Sequence, residues 1–65
     1  MVASFTAELK AILLQAGCKF ERQGKGDHEI WFSPITEVRF PVDGKIKSRH
    51  TANAVLKQAG LPKKF

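Results

Sequence analysis

Apolar residues fall at Phe5, Leu9, Ile12, Leu13 and Ala16, a spacing that lines one face of a helix over 5–16. Ser4 stands where an N-cap is expected, and Glu8 lies in the first turn, where the helix dipole favours a negative charge. Gly17 ends the helix, and Cys18 can fold back on its last turn as a small buried hydrophobe. Residues 18–23 then alternate, with Cys18, Phe20 and Arg22 on one side and Lys19, Glu21 and Gln23 on the other, the pattern of a half-buried strand. A glycine-rich turn at 24–27 leads into a second strand at 28–32, with Ile30 and Phe32 expected towards the core. Ser33-Pro34-Ile35-Thr36 reads as another turn, and Val38 and Phe40 mark a third strand ended by Pro41. Asp43-Gly44 turns the chain once more. Ala52, Val55, Leu56 and Ala59 give a second helix its apolar stripe, capped near Thr51 and closed by Gly60 and Leu61. Pro62 prevents its continuation, and the tail Lys63-Lys64-Phe65 is expected to be loose.

The order is therefore α–β–β–β–α, an α+β chain with a three-stranded antiparallel sheet and both helices on one face. Double-stranded-RNA-binding domains use this topology. The face away from the helices is expected to carry Lys19, Glu21, Glu29, Trp31 and Arg39. A tryptophan there is either partly covered by neighbouring aliphatic stems, or a contact for a partner protein or a stacked base.

Sixty-five residues are enough for a single domain, 1–65, and too few for a cofactor domain or a deep pocket. A hydrophobic content of 43% is that of a globular chain. The lone Cys18 leaves no internal disulfide and fits a reducing compartment. The apolar runs are too short to span a membrane, and no basic-then-apolar leader opens the chain, so the cytoplasm is the expected location. Eleven basic against six acidic residues give a net charge of +5. The basic residues thicken towards the C-terminal half, at Lys45, Lys47, Arg49, Lys57, Lys63 and Lys64. Such a field draws polyanions; nucleic acid leads, although membrane surfaces and acidic proteins answer to the same charge.

The chemistry concentrates at Gly24-Lys25-Gly26-Asp27-His28, a tight turn that delivers an imidazole to the start of a strand. An imidazole takes up and gives back protons near neutral pH. Asp27 could act on that ring or fix its tautomer, if its side chain turns towards it. Cys18, His28 and His50 lack the paired spacings of a zinc site, so no metal or cofactor is expected. Nor is there a phosphate-cradling glycine loop or a nucleophile elbow. By itself, a histidine at a strand start is more often structural than catalytic.

Three features shift that balance: the Gly26-Asp27-His28 turn, the strand end Phe40-Pro41-Val42, and the helix Ala54-Val55-Leu56-Lys57-Gln58-Ala59-Gly60-Leu61. Together they resemble HicA, the small toxin of HicA–HicB toxin–antitoxin systems, over nearly the whole chain. The resemblance implies a double-stranded-RNA-binding-like fold, metal-independent cleavage of mRNA, and neutralisation by a HicB-type antitoxin. It places the catalytic histidine at His28 and the glycine two before it at Gly26. The sequence departs from the family's common pattern at Asp27, where serine is frequent, and at Val42-Asp43, where many members carry a histidine. Lys25, Lys45, Lys47 and Arg49 are the cations available to contact RNA phosphates, with Gly24, Gly26 and Asp27 forming the turn that supports the site. A non-catalytic RNA-binding module of the same fold is the alternative, and a protein-interaction domain using Trp31 a weaker one.

Overall fold

The computed structural model describes residues 4–65. Its elements run α1 (Thr6–Gln15), β1 (Lys19–Gln23), β2 (His28–Ser33), β3 (Val38–Asp43) and α2 (Arg49–Gln58). The three strands form one antiparallel sheet in the order β1-β2-β3, and the helices share one core with it, as the apolar pattern predicts. Leu9 and Leu13 of α1, Phe40 and Val42 of β3, and Ala52, Val55, Leu56 and Ala59 of α2 all belong to this one buried core.

Both helices end the same way, because their sequences do. Gly17 (φ 92°) and Gly60 (φ 83°) adopt the left-handed conformation that a glycine accepts most easily. The next residue then folds back: the Cys18 amide donates to Leu13 O at 2.9 Å, and the Leu61 amide to Leu56 O at 2.8 Å. These are paired Schellman endings, and Cys18 is buried within one of them.

The starts differ from expectation. The N-cap of α1 is Phe5 and no side chain caps it; Ser4 is not used. The chain instead ties this end to the β3–α2 connection, with Phe5 N donating to Ile46 O at 2.7 Å and Ile46 N to Thr6 Oγ1 at 2.8 Å. Helix α2 begins at Arg49, two residues before Thr51, because the Ser48 hydroxyl accepts from His50 N and caps it.

The central correction concerns β2. Trp31 is only 3% exposed and Ser33 is fully buried, so these two face the helices and Ile30 and Phe32 face away. A shift of one position moves every side chain of a strand to the other face. Trp31 wins because an indole buries more area than any competitor in the strand, and because its N–H finds an acceptor in Glu29 Oε1 at 3.0 Å. Ser33 is tolerated in the core because its hydroxyl donates to Ala59 O at 2.7 Å, satisfying a carbonyl at the end of α2. Thr36 does the same for Gln58 O at 3.0 Å.

Strand β1 is exposed throughout rather than half-buried. A bulge between Phe20 and Arg22 breaks its alternation: Phe20 pairs with Trp31, whereas Arg22 pairs with Ile30 on the opposite face. Strand β3 passes through Pro41, paired with Ile30, and runs on to Asp43; as an edge strand it can spare one N–H. The C-terminal tail is not loose. Asn53 Oδ1 accepts from the Lys64 and Phe65 amides, and the Phe65 ring packs edge-on against Phe5 with centroids 5.2 Å apart.

Candidate active site

The β1–β2 turn brings His28 to the first position of β2. The turn is closed by His28 N donating to Lys25 O at 3.1 Å and Gly24 N donating to His28 O at 2.8 Å. The Gln23 amide spans it from inside, donating to Gly26 O at 3.1 Å and to His28 O at 2.9 Å. Gly26 takes a φ of 59°, and a side chain on Gly24 would press on Ile30 and on His28 O. Lys25 is exposed at the tip.

Antiparallel register sets His28 opposite Asp43, the last residue of β3. Their side chains meet, with His28 Nε2 3.1 Å from Asp43 Oδ1, and both stay about half exposed. The ring's partner is thus Asp43, not Asp27. Neighbours along a strand point to opposite faces, while partners across the ladder share one. Asp27 instead lies against Gly44, where a Cβ would come within 3.3 Å of the Asp27 carbonyl oxygen. The Asp43 backbone is fixed from below, its carbonyl accepting from Thr6 Oγ1 at 3.4 Å.

Beyond Gly44 the chain alternates. Ile46 is 1% exposed and anchors the segment, while Lys45 and Lys47 on either side of it are exposed. Arg49, also exposed, opens α2. The structure therefore brings Lys25, His28, Asp43 and Gly44 together at one end of the sheet, with Lys45 next in the chain. Lys47 and Arg49 lie further along the connection. The sequence pattern does not mark Asp43 as a partner of His28, since that pairing depends on β3 continuing past Pro41.

On the other face of the same strand, Glu29 is a structural acid. Its Oε1 accepts from Trp31 Nε1 and sits 3.0 Å from Lys10 Nζ. The Trp31 hydrogen bond first, and the Lys10 ammonium next, hold its carboxyl below the ordinary value of 4.5.

No cleft opens among the described residues, and His28 and Asp43 stand on the surface, each about half exposed. Among the described residues no three His, Cys, Asp or Glu side chains gather as metal ligands, and no helix is long and apolar enough to cross a membrane. A half-exposed imidazole beside a carboxylate can take a proton from, or give one to, a bound molecule, and the nearby lysines can meet negative charge. A family model described as the HicA toxin of bacterial toxin–antitoxin systems matches residues 6–61, from the first turn of α1 to the residue that closes α2. No curated protein and no solved structure matches the chain. On that match, which spans every element of the fold and includes His28, the chain belongs to the HicA toxin family.

Proposed function

We propose that this toxin is a metal-independent endoribonuclease that cleaves mRNA with His28 as its acid–base group. The observation that carries it is the His28–Asp43 pair, an accessible imidazole oriented by a carboxylate on an open surface of a basic chain. Asp43 engages Nε2 and leaves Nδ1 to meet a substrate. In the reaction, the imidazole takes the proton of a ribose 2′-hydroxyl, and the 2′-oxygen attacks the adjacent phosphorus. The bond from phosphorus to the 5′-oxygen breaks, and the departing oxygen receives a proton from the imidazolium. The products are a 2′,3′-cyclic phosphate and a 5′-hydroxyl. Lys25 and Lys45 stabilise the charge that develops on the phosphoryl oxygens, and Lys47 and Arg49 hold phosphates further along. Toxin family membership implies an antitoxin. A HicB-type protein that covers the His28 end of the sheet would silence so open a site.

Replacing His28 by alanine or glutamine tests this. Both variants should lose cleavage by about 10²–10⁴-fold or more, the contribution of an acid–base group. Their thermal melts should differ from wild type by about 1 kcal/mol or less, since the His28 side chain is about half exposed. Cleavage should also survive EDTA. A folded alanine variant that cuts at the wild-type rate would remove His28 from the mechanism. Loss of activity in chelator, restored by a divalent ion, would replace it with metal chemistry. Wild-type protein that binds RNA and never cuts it would make the chain a binding module.

A further inference from the structure

We propose that the helix-free face of the sheet is a track for single-stranded RNA, leading from His28 to a stacking platform built by Phe32 and Arg39, with Lys19 and Arg22 on the phosphates. The proposal rests on the ribonuclease function above and names where its substrate lies. Register puts three rows of side chains on this face. His28 faces Asp43; Arg22, Ile30 and Pro41 form the next row; Lys19, Phe32 and Arg39 form the third. His28, Ile30 and Phe32 share the face because side chains on a strand repeat every second residue, and Trp31 between Ile30 and Phe32, with Ser33 after them, is buried on the helix side.

The face is built for a polyanion with bases. Its two acids are already engaged, Asp43 by His28 and Glu21 by Arg39. Lys19 and Arg22 are exposed and have no ion-pair partner among the described residues, so the free charge that this face offers is positive. Arg39 lies over the Phe32 ring, 5.5 Å from its centroid, and the Glu21 carboxylate holds the guanidinium there. Aromatic rings and guanidinium planes are surfaces on which unpaired bases stack, which paired bases cannot do. Between platform and imidazole stands Ile30, half-buried, with its side chain beside Gly24. Phe32 lies four steps along the strand from His28, roughly 14 Å at about 3.4 Å per residue, so the platform holds a base beyond the one being cut. A protein partner would need a counter-charge or an apolar anchor; the face presents free cations around one half-buried ring.

The test uses a mixed-sequence 12-nucleotide 2′-O-methyl RNA, which cannot be cleaved, with 2-aminopurine as a stacking reporter. Phe32→Ala should weaken binding by about 5- to 100-fold and abolish 2-aminopurine quenching, whereas Phe32→Trp should restore both. Lys19→Ala with Arg22→Ala should lower the slope of log affinity against log salt by about 1.4, or 0.7 for each phosphate that loses its cation. Thermal melts establish that each variant is folded, and the restoring tryptophan separates stacking from misfolding. Folded variants that bind with wild-type affinity and slope would overturn the track. So would wild type that fails to bind the oligonucleotide. Substitutions that weaken only antitoxin association would overturn it too, and make this face a protein interface. If the face variants lose binding while His28→Ala still cuts RNA, the track stands and the histidine mechanism falls.

Discussion

The two faces of the central strand obey different rules. On the covered face every polar group has a partner: Ser33 donates to Ala59 O, Glu29 is shared by Trp31 and Lys10, and Thr6 joins Ile46 to Asp43. No buried side-chain nitrogen or oxygen among the described residues is unsatisfied. On the open face an imidazole keeps a ring nitrogen free, and two cations have no counter-ion among the described residues. Burial forces polar atoms into fixed pairs, because an unpaired buried donor or acceptor costs about 1–3 kcal/mol. Water relaxes that demand, so groups that must change partners during a reaction can persist on the open side. Polarity alone therefore does not separate the two faces of this strand; whether each polar group has an obligatory partner does.

Adjacent aromatic residues give the sharpest way to break this contrast. Trp31→Ala should cost about 3–5 kcal/mol, as large-to-small core changes do, a large part of what a small domain possesses. Phe32→Ala should cost about 1 kcal/mol and act on RNA binding instead. Denaturant melts of the two variants measure the difference. Equal losses would mean that both faces contribute alike to the core.

The paired helix ends allow a finer comparison. A Cβ on Gly60 would sit 2.8 Å from both Ile35 Cγ2 and Thr36 Cγ2, whereas one on Gly17 would meet Pro34 Cγ at 3.5 Å. Both positions carry the same left-handed backbone strain on substitution. Gly60→Ala should therefore be worse than Gly17→Ala by about 1 kcal/mol or more, the cost of overpacking. Similar melting temperatures would show that the β2–β3 turn gives way freely.

Glu29→Gln should have the smallest effect, about 0.5–1 kcal/mol at neutral pH. Because folding lowers the Glu29 pKa, its charge contributes stability that is fully present above 4.5 and is lost as pH falls through the folded value. Urea unfolding at pH 7 and pH 3 should show the variant weaker at pH 7, with the gap closing at pH 3. A gap that widens in acid would reverse the sign and remove the lowered carboxyl as its cause.

What the sequence disclosed follows from how local each signal is. Helix stripes and glycine endings are written within a few residues, and Leu9, Leu13, Val55, Leu56, Gly17 and Gly60 are where the pattern put them. The faces of β2 were not legible, because Ile30, Trp31 and Phe32 are consecutive apolar residues that satisfy either phase of a period of two. Only packing against Phe40 and the Ser33–Ala59 bond selects one. His28 was singled out by its turn and by family resemblance. Its partner Asp43 depends on register between two strands, and the side of the sheet on which Arg22 lies depends on a bulge; neither has a local signature.

The flatness of the His28 end sets the scale of anything that could block it. A surface without a cleft gives a small molecule little area to bury, so affinity must be gathered over many shallow contacts. The chain exposes 4464 Å² in all, and a standard protein interface takes about 800 Å² from each partner, roughly a fifth of that surface. One bound protein centred on His28 would reach across several rows of the sheet at once. Escape from it by single substitutions would be difficult, because no one contact would dominate and the residue at the centre is the proposed acid–base group, whose replacement would also remove the proposed activity.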